Sequence, residues 1–195
     1  MTPTPTTPEA TSASAAPAQA AAPARRPAGP MQRRRQKSRY GTQMEEKQNL
    51  KKIYGIREEQ LRHYFSQAQR SSQETGLFLV SLLERRLDNA VFRAGWAPTR
   101  PAARQMSSHR LLLVNGHPVT VPSISLRVGD VVSVKENKRT KPLFENFMMK
   151  LQNVHLPSWI ELMPQEFSFK VTALPTMEEA QLGVDIRAIV EYFAR

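Results

Sequence analysis

The residues with the most chemistry to offer are cations. Arg25, Arg26, Arg33, Arg34, Arg35, Lys37 and Arg39 fall between residues 25 and 40 with no acid among them, and Tyr40 follows at once. Further along, Arg85, Arg86 and Arg93 stand off the apolar stripe of a predicted helix, placed to face a ligand. A guanidinium donates through a planar fork that matches phosphate geometry, which an ammonium point charge does not. A basic arm gains phosphate contacts and releases condensed counterions, so it binds without sequence choice. Over 195 residues the chain carries 28 Lys+Arg against 17 Asp+Glu, a formal charge of +11. That balance points to a polyanionic partner, most often nucleic acid.

Other chemistries lack their residues. There is no cysteine, so thiolate catalysis, disulfides and Cys-based metal sites are excluded. The histidines, His63, His109, His117 and His155, are too scattered to suggest a local metal pair. No two of the eight glycines lie close together, which removes both the Rossmann fingerprint and the P-loop. No apolar run reaches the ~18–20 residues of a membrane-spanning helix. Arg86-Leu87-Asp88 resembles the motif around the catalytic aspartate of pseudouridine synthases. That motif belongs to a catalytic domain larger than this chain can supply. Asp88 is expected within a continuous helix as an exposed carboxylate paired with a nearby arginine, so no enzyme is expected.

The positioning elements follow from composition and periodicity. Residues 1–30 hold 7 of the 15 prolines and no aromatic or branched aliphatic residue, so they have nothing to bury and read as a disordered tail. They have neither the charged start nor the apolar core of a secretory signal. Thr42 and Glu45 form a capping-box pattern for a first helix closed by Gly55. A second helix covers 57–70, with Leu61, Tyr64, Phe65 and Ala68 inward. A third runs from Thr75 to Gly95, and Thr99 caps a fourth with Pro101 in its first turn. Asn115-Gly116 between the apolar runs 111–114 and 117–121 predicts a hairpin. Strands are expected over 131–135, 159–163 and 167–172, a helix over 143–151, and a last helix capped by Asp185. Trp96 and Trp159 are assigned to a core or domain seam. The fold class is α+β, helices flanking a small antiparallel sheet.

The run Leu83-Glu84-Arg85-Arg86-Leu87-Asp88-Asn89, continuing through Arg93, Thr99, Ala103-Arg104-Gln105 and Ser108-His109 to Asn115-Gly116, resembles the S-four RNA-binding module. The flanking Lys37-Ser38, Tyr40-Gly41, Glu46-Lys47-Gln48 and Ile53-Tyr54-Gly55 resemble the bacterial or organellar S-four family of small-subunit ribosomal proteins. So do Val128-Gly129-Asp130, Pro157-Ser158-Trp159 and Val190-Glu191-Tyr192-Phe193. The resemblance covers about residues 31–195. It implies a basic arm over 31–40, a helical domain of 41–82 with 176–195, and an RNA-binding domain over 83–175.

What the resemblance implies is a structural protein of the small subunit that binds a multi-helix junction in the 5′ domain of 16S-type rRNA. It also implies a role early in subunit assembly and in translational accuracy, in the cytoplasm rather than an organelle. Ribosomal protein S-five, other small-subunit proteins and mRNA entering the ribosome are the implied neighbours. No cofactor or metal is expected. The alternative is a free RNA-binding regulator that uses the same module off the ribosome.

The contact residues expected are Arg33, Arg34, Arg35, Lys37 and Tyr40 in the arm and Lys47, Lys51 and Lys52 on the first helix. In the module they are Arg86, Arg93, Arg100, Arg104, Gln105, Ser108, His109 and Asn115. Each has a plainer role open to it. The three lysines suit a solvated face, His109 a helix end, Asn115 the turn itself, and Tyr40 packing on the helical domain. Two positions depart from the family. Arg110 stands where glycine is usual, so it either strains a left-handed cap or changes it. Ser107 replaces an aliphatic residue.

Overall fold

The computed structural model describes residues 38–139, Phe144 and residues 154–194. The expected tail (1–30), Arg33, Arg34, Arg35 and Lys37 of the arm, and the helix expected over 143–151 apart from Phe144 lie outside them.

Helix α1 (Arg39–Tyr54) begins a turn earlier than the capping box suggests. Ser38 Oγ accepts the Gly41 N–H at 3.2 Å, so Ser38 is the cap and Thr42 lies inside the helix. Arg39 and Tyr40, expected at the end of the arm, are its first two residues. Gly55 closes α1 at φ 60, a conformation that suits glycine because it has no Cβ. Helix α2 (Glu58–Gln69) follows with Leu61, Phe65 and Ala68 buried.

The single helix expected from Thr75 to Gly95 is two. Helix α3 (Thr75–Glu84) stops, Arg86 adopts extended backbone, and α4 (Leu87–Arg93) starts afresh. The cause is a distant segment. Residues 122–126 run beside the break, where Arg86 pairs with Ser125 as an antiparallel bridge. Leu87 and Asp88 N–H donate to Ile124 O and Pro122 O at 2.8 and 3.1 Å, and Leu126 N–H donates to Arg85 O at 2.9 Å. Backbone groups that a continuous helix would pair internally are satisfied across this contact.

Helix α5 (Arg100–Ser108) has the expected Thr99 cap, whose Oγ1 accepts from Ala102 N–H. Ser107 is buried there without loss, since its hydroxyl donates to Ala103 O at 3.1 Å. The sheet is antiparallel, in the order β2-β1-β3-β5-β4. Its strands are β1 (Leu112–Val114), β2 (His117–Pro118), β3 (Val131–Val134), β4 (Ile160–Met163) and β5 (Ser168–Val171). Asn115 and Gly116 both have positive φ, 49 and 79, as a type I′ turn requires. A one-turn helix α6 (Met177–Ala180), not foreseen, precedes α7 (Ile186–Phe193), whose Asp185 cap accepts from Arg187 and Ala188 N–H.

Two apolar cores result. One packs α4 and α5 on the sheet through Leu87, Val91, Trp96, Met106, Leu112, Trp159 and Phe169. The other joins α1, α2, α3 and α7 through Leu50, Tyr54, Leu61, Phe65, Leu83 and Ile189. The architecture is the α+β class expected.

Candidate nucleic-acid interface

Between the two cores lies a layer of charge. Glu84, 1% exposed at the end of α3, accepts from Tyr54 Oη at 2.5 Å, Asn89 Nδ2 at 2.8 Å and Arg93 at 2.9 and 3.0 Å. Asp88, in the first turn of α4, accepts from Arg86 at 3.0 and 2.8 Å and from Arg104 at 3.0 and 2.7 Å. The remaining donors reach other elements. Arg86 Nη1 donates to Tyr64 Oη on α2, Arg93 to Ala180 O on α6, and Arg104 to Gly55 O and Tyr54 O at the end of α1.

Arg100 differs from these three. Its Nε donates to Asn89 Oδ1 at 2.8 Å, and its guanidinium lies 4.5 Å over the Phe92 ring and 5.1 Å over the Tyr54 ring. Among the described residues it has no carboxylate partner. The four arginines therefore outnumber the two acids, and the layer keeps a surplus of positive charge.

The electrostatics agree. Burial works against the charge on Arg86, but the hydrogen bonds and attraction of Asp88 outweigh it and raise its pKa. Arg93 behaves alike, desolvation being overcome by Glu84. Arg100 is shifted down, chiefly by desolvation. Burial pushes the Tyr54 hydroxyl up, and Glu84 adds to it, so Tyr54 stays a neutral donor.

This arrangement corrects two expectations. Asp88 is buried, at 3% exposure, instead of exposed, because the helix breaks before it and turns its carboxylate into the layer. Arg85, Arg86 and Arg93 do not stand clear toward a ligand. Arg85 donates to Leu126 O, Arg86 is buried, and Arg93 is tied to Glu84.

The other expected residues divide into tied and open groups. Lys47 is buried, 2.7 Å from Glu58 and 4.3 Å over the Tyr192 ring, and Lys51 pairs with the same Glu58 at 2.9 Å. Lys52 points outward on the same helix. Tyr40 packs against Tyr192, ring centroids 5.7 Å apart, with about half its surface open. Gln105, Ser108 and His109 line the outer face of α5, with His109 at its end. Asn115 Oδ1 accepts from Val131 N–H and its Nδ2 donates to Asp130, both at 2.9 Å, so the turn uses its side chain.

The surplus charge surfaces in two clefts that meet at Gly55 and Arg104. One, about 140 Å³, is walled by Lys52, Tyr54 and Arg100; the other, about 250 Å³, by Arg57, Gln60, Arg86 and Ser123. Arg57 was not singled out from the sequence, which placed it inside the second helix; it is instead the N-cap of α2, at the rim of the cleft. Rigid forks on two walls of a concave surface can hold backbone phosphates by shape, the mode suited to A-form RNA, whose deep major groove side chains cannot read.

Comparison with known proteins gives the family. The family described as "Ribosomal protein S4/S9 N-terminal domain" matches residues 11–84, and the "S4 domain" matches residues 85–132. The first match starts inside the Pro/Ala-rich segment that the motif resemblance left out. The chain is 43% identical over 169 residues to small ribosomal subunit protein uS4 of Roseiflexus sp. (strain RS-1), covering 86% of this chain and 82% of that one. The uS4 protein of Chloroflexus aurantiacus gives the same identity and coverage. Protein uS4B of Nitrosomonas europaea is 44% identical over 161 residues, covering 83% of this chain and 78% of its own. Two matched domains in order, on a fold whose seam displays fixed arginines, place this chain in the uS4 family of small ribosomal subunit proteins, structural rRNA-binding components and not enzymes.

Proposed function

We propose that this chain binds a multi-helix junction in the 5′ domain of small-subunit rRNA and helps that domain fold early in assembly. The observation that carries the reading is the charge layer. Arg86 and Arg104 are locked by Asp88 where they line the clefts, Arg100 is held over two rings without a carboxylate, and Arg93 braces Glu84 behind them. A junction brings phosphates of several helices close together, and pre-ordered cations bridge them at little entropic cost. In this reading the helical part, 41–82 with 176–195, and the module, 83–175, grip the RNA from either side of the seam. Arg33, Arg34, Arg35, Lys37, Tyr40, Lys52, Gln105, Ser108, His109 and Asn115 add contacts around it. The place proposed is the cytoplasmic ribosome, beside ribosomal protein S-five and near the path by which mRNA enters, where the protein contributes to accuracy.

The test is chemical footprinting of small-subunit rRNA with and without the protein. Protection clustered at one junction of the 5′ domain is the expected result. Even protection of plain duplex, with no junction favoured at near-physiological salt, would overturn the reading.

A further inference from the structure

Three helices of this protein close with the same turn. After α1, Gly55 N–H donates to Lys52 O and Ile56 N–H to Lys51 O, at 3.3 and 3.1 Å. After α4, Gly95 N–H donates to Phe92 O and Trp96 N–H to Val91 O, at 3.0 and 3.2 Å. After α5, Arg110 N–H donates to Ser107 O and Leu111 N–H to Met106 O, both at 3.3 Å. Each is a Schellman turn, with its pivot residue in the left-handed region. The pivots are Gly55 at φ 60, Gly95 at φ 76 and Arg110 at φ 57. Two use the residue that adopts this conformation freely; the third uses arginine, whose Cβ crowds the following carbonyl.

The strain has no return within the described residues. The Arg110 side chain is exposed and forms no hydrogen bond or ion pair there. Met106 and Leu111, joined by the backbone bond of this turn, are both buried in the same apolar core, whatever the pivot's side chain. Strain that the fold does not use points to a role in binding.

The surroundings indicate the ligand. His109 is exposed beside Arg110, and Lys135 N–H donates to Leu111 O at 2.9 Å, which brings the end of β3 next to the pivot. Lys138 lies one turn further, its N–H on Lys135 O at 2.9 Å. Neither lysine has an ion pair among the described residues, and Glu136 is the carboxylate in that turn. This second basic patch sits at the far end of α5 from Arg100. Nine helical residues separate the two by about 13 Å.

We propose that Arg110, with Lys135 and Lys138, binds a backbone phosphate of RNA at a point separate from the seam clefts, so that α5 lies between two gripped segments. This inference rests on the rRNA-binding reading above. The experiment measures binding of the full-length chain to a transcribed 5′-domain fragment of small-subunit rRNA over a salt series. Arg110→Gly and Arg110→Lys are compared with the parent, and thermal unfolding of each is recorded. Arg110→Gly should raise Tm by a few degrees, yet weaken binding several-fold and lower the slope of log K against log salt by about one. Arg110→Lys should keep the parent slope without the gain in Tm. A more stable Arg110→Gly protein with unchanged affinity and slope would overturn the proposal while leaving the rRNA reading intact. A parent chain with no preference for the fragment over duplex RNA would overturn that reading instead.

Discussion

Arg104 and Arg86 share Asp88 Oδ2, at 2.7 and 2.8 Å, so one buried carboxylate ties α5 to the first turn of α4. Through its other donors, Arg104 also holds Tyr54 O and Gly55 O at the end of α1. The two cores are therefore joined by a charged clasp, and the basic clefts open along it.

Asp88→Asn should be among the most damaging single changes in the chain. It keeps the shape but leaves Arg86 buried without a counter-charge, a loss of about 3–5 kcal/mol. Denaturant unfolding of Asp88→Asn and Arg104→Ala would check this. The Arg104 side chain is 36% exposed, and its removal should cost distinctly less.

Arg100→Ala should separate binding from stability. Its guanidinium offsets no carboxylate among the described residues, so its loss should cost about 1–3 kcal/mol, from the Asn89 Oδ1 left without its donor and from the Phe92 and Tyr54 ring contacts. Binding to the 5′-domain RNA should nonetheless weaken, with the salt slope reduced by about one. Arg93→Ala should show the reverse, lower stability from orphaning Glu84 and a slope close to the parent's. Equal slopes for Arg100→Ala and the parent would remove Arg100 from the interface.

The Lys47–Glu58–Lys51 cluster sets an acid limit on the contact between α1 and α2. Burial alone would raise the Glu58 pKa, but hydrogen bonds from Lys47 and Lys51 outweigh it and hold it below the usual glutamate value. A depressed carboxylate stabilises the fold above its unfolded pKa, about 4.3, and loses that contribution as pH falls through the lower folded value. Lys47 is opposite in sign. Burial lowers its pKa, but Glu58 and Tyr192 overcome this and raise it, so its share persists below about pH 10.4 and fades above. Glu58→Gln should flatten the acid limb of Tm against pH, by less than about 1 kcal/mol because the Glu58 side chain is 30% exposed.

Asn115 should matter to the turn apart from any contact with RNA. Asn115→Gly keeps the positive φ but loses the bonds to Val131 N–H and Asp130, at a cost of about 1 kcal/mol. Asn115→Ala loses the bonds and strains φ as well, costing about 2 kcal/mol. Thermal unfolding of both gives the order.

Much of this protein was legible in its sequence because the signals were local. Thr99 with Pro101, Asn115-Gly116, Asp185 and Gly55 each satisfy or release backbone groups within a few residues. These caps and the turn appear where the pattern placed them, although the second arm of the hairpin is only His117–Pro118 and not the 117–121 expected. The ordered ribosomal motifs were likewise readable as a string. What the sequence could not reveal was the break at Arg85-Arg86, because the groups that satisfy that backbone come from residues 122–126, nearly forty positions away. From that break follows the burial of Asp88 and Arg86. It also decides which arginines are tied to a carboxylate and that Arg100 is not. Composition determined that the chain would carry surplus positive charge; only the packing of two cores against each other decided where that charge is locked and where it stays open, since pairing depends on distances the linear order does not contain.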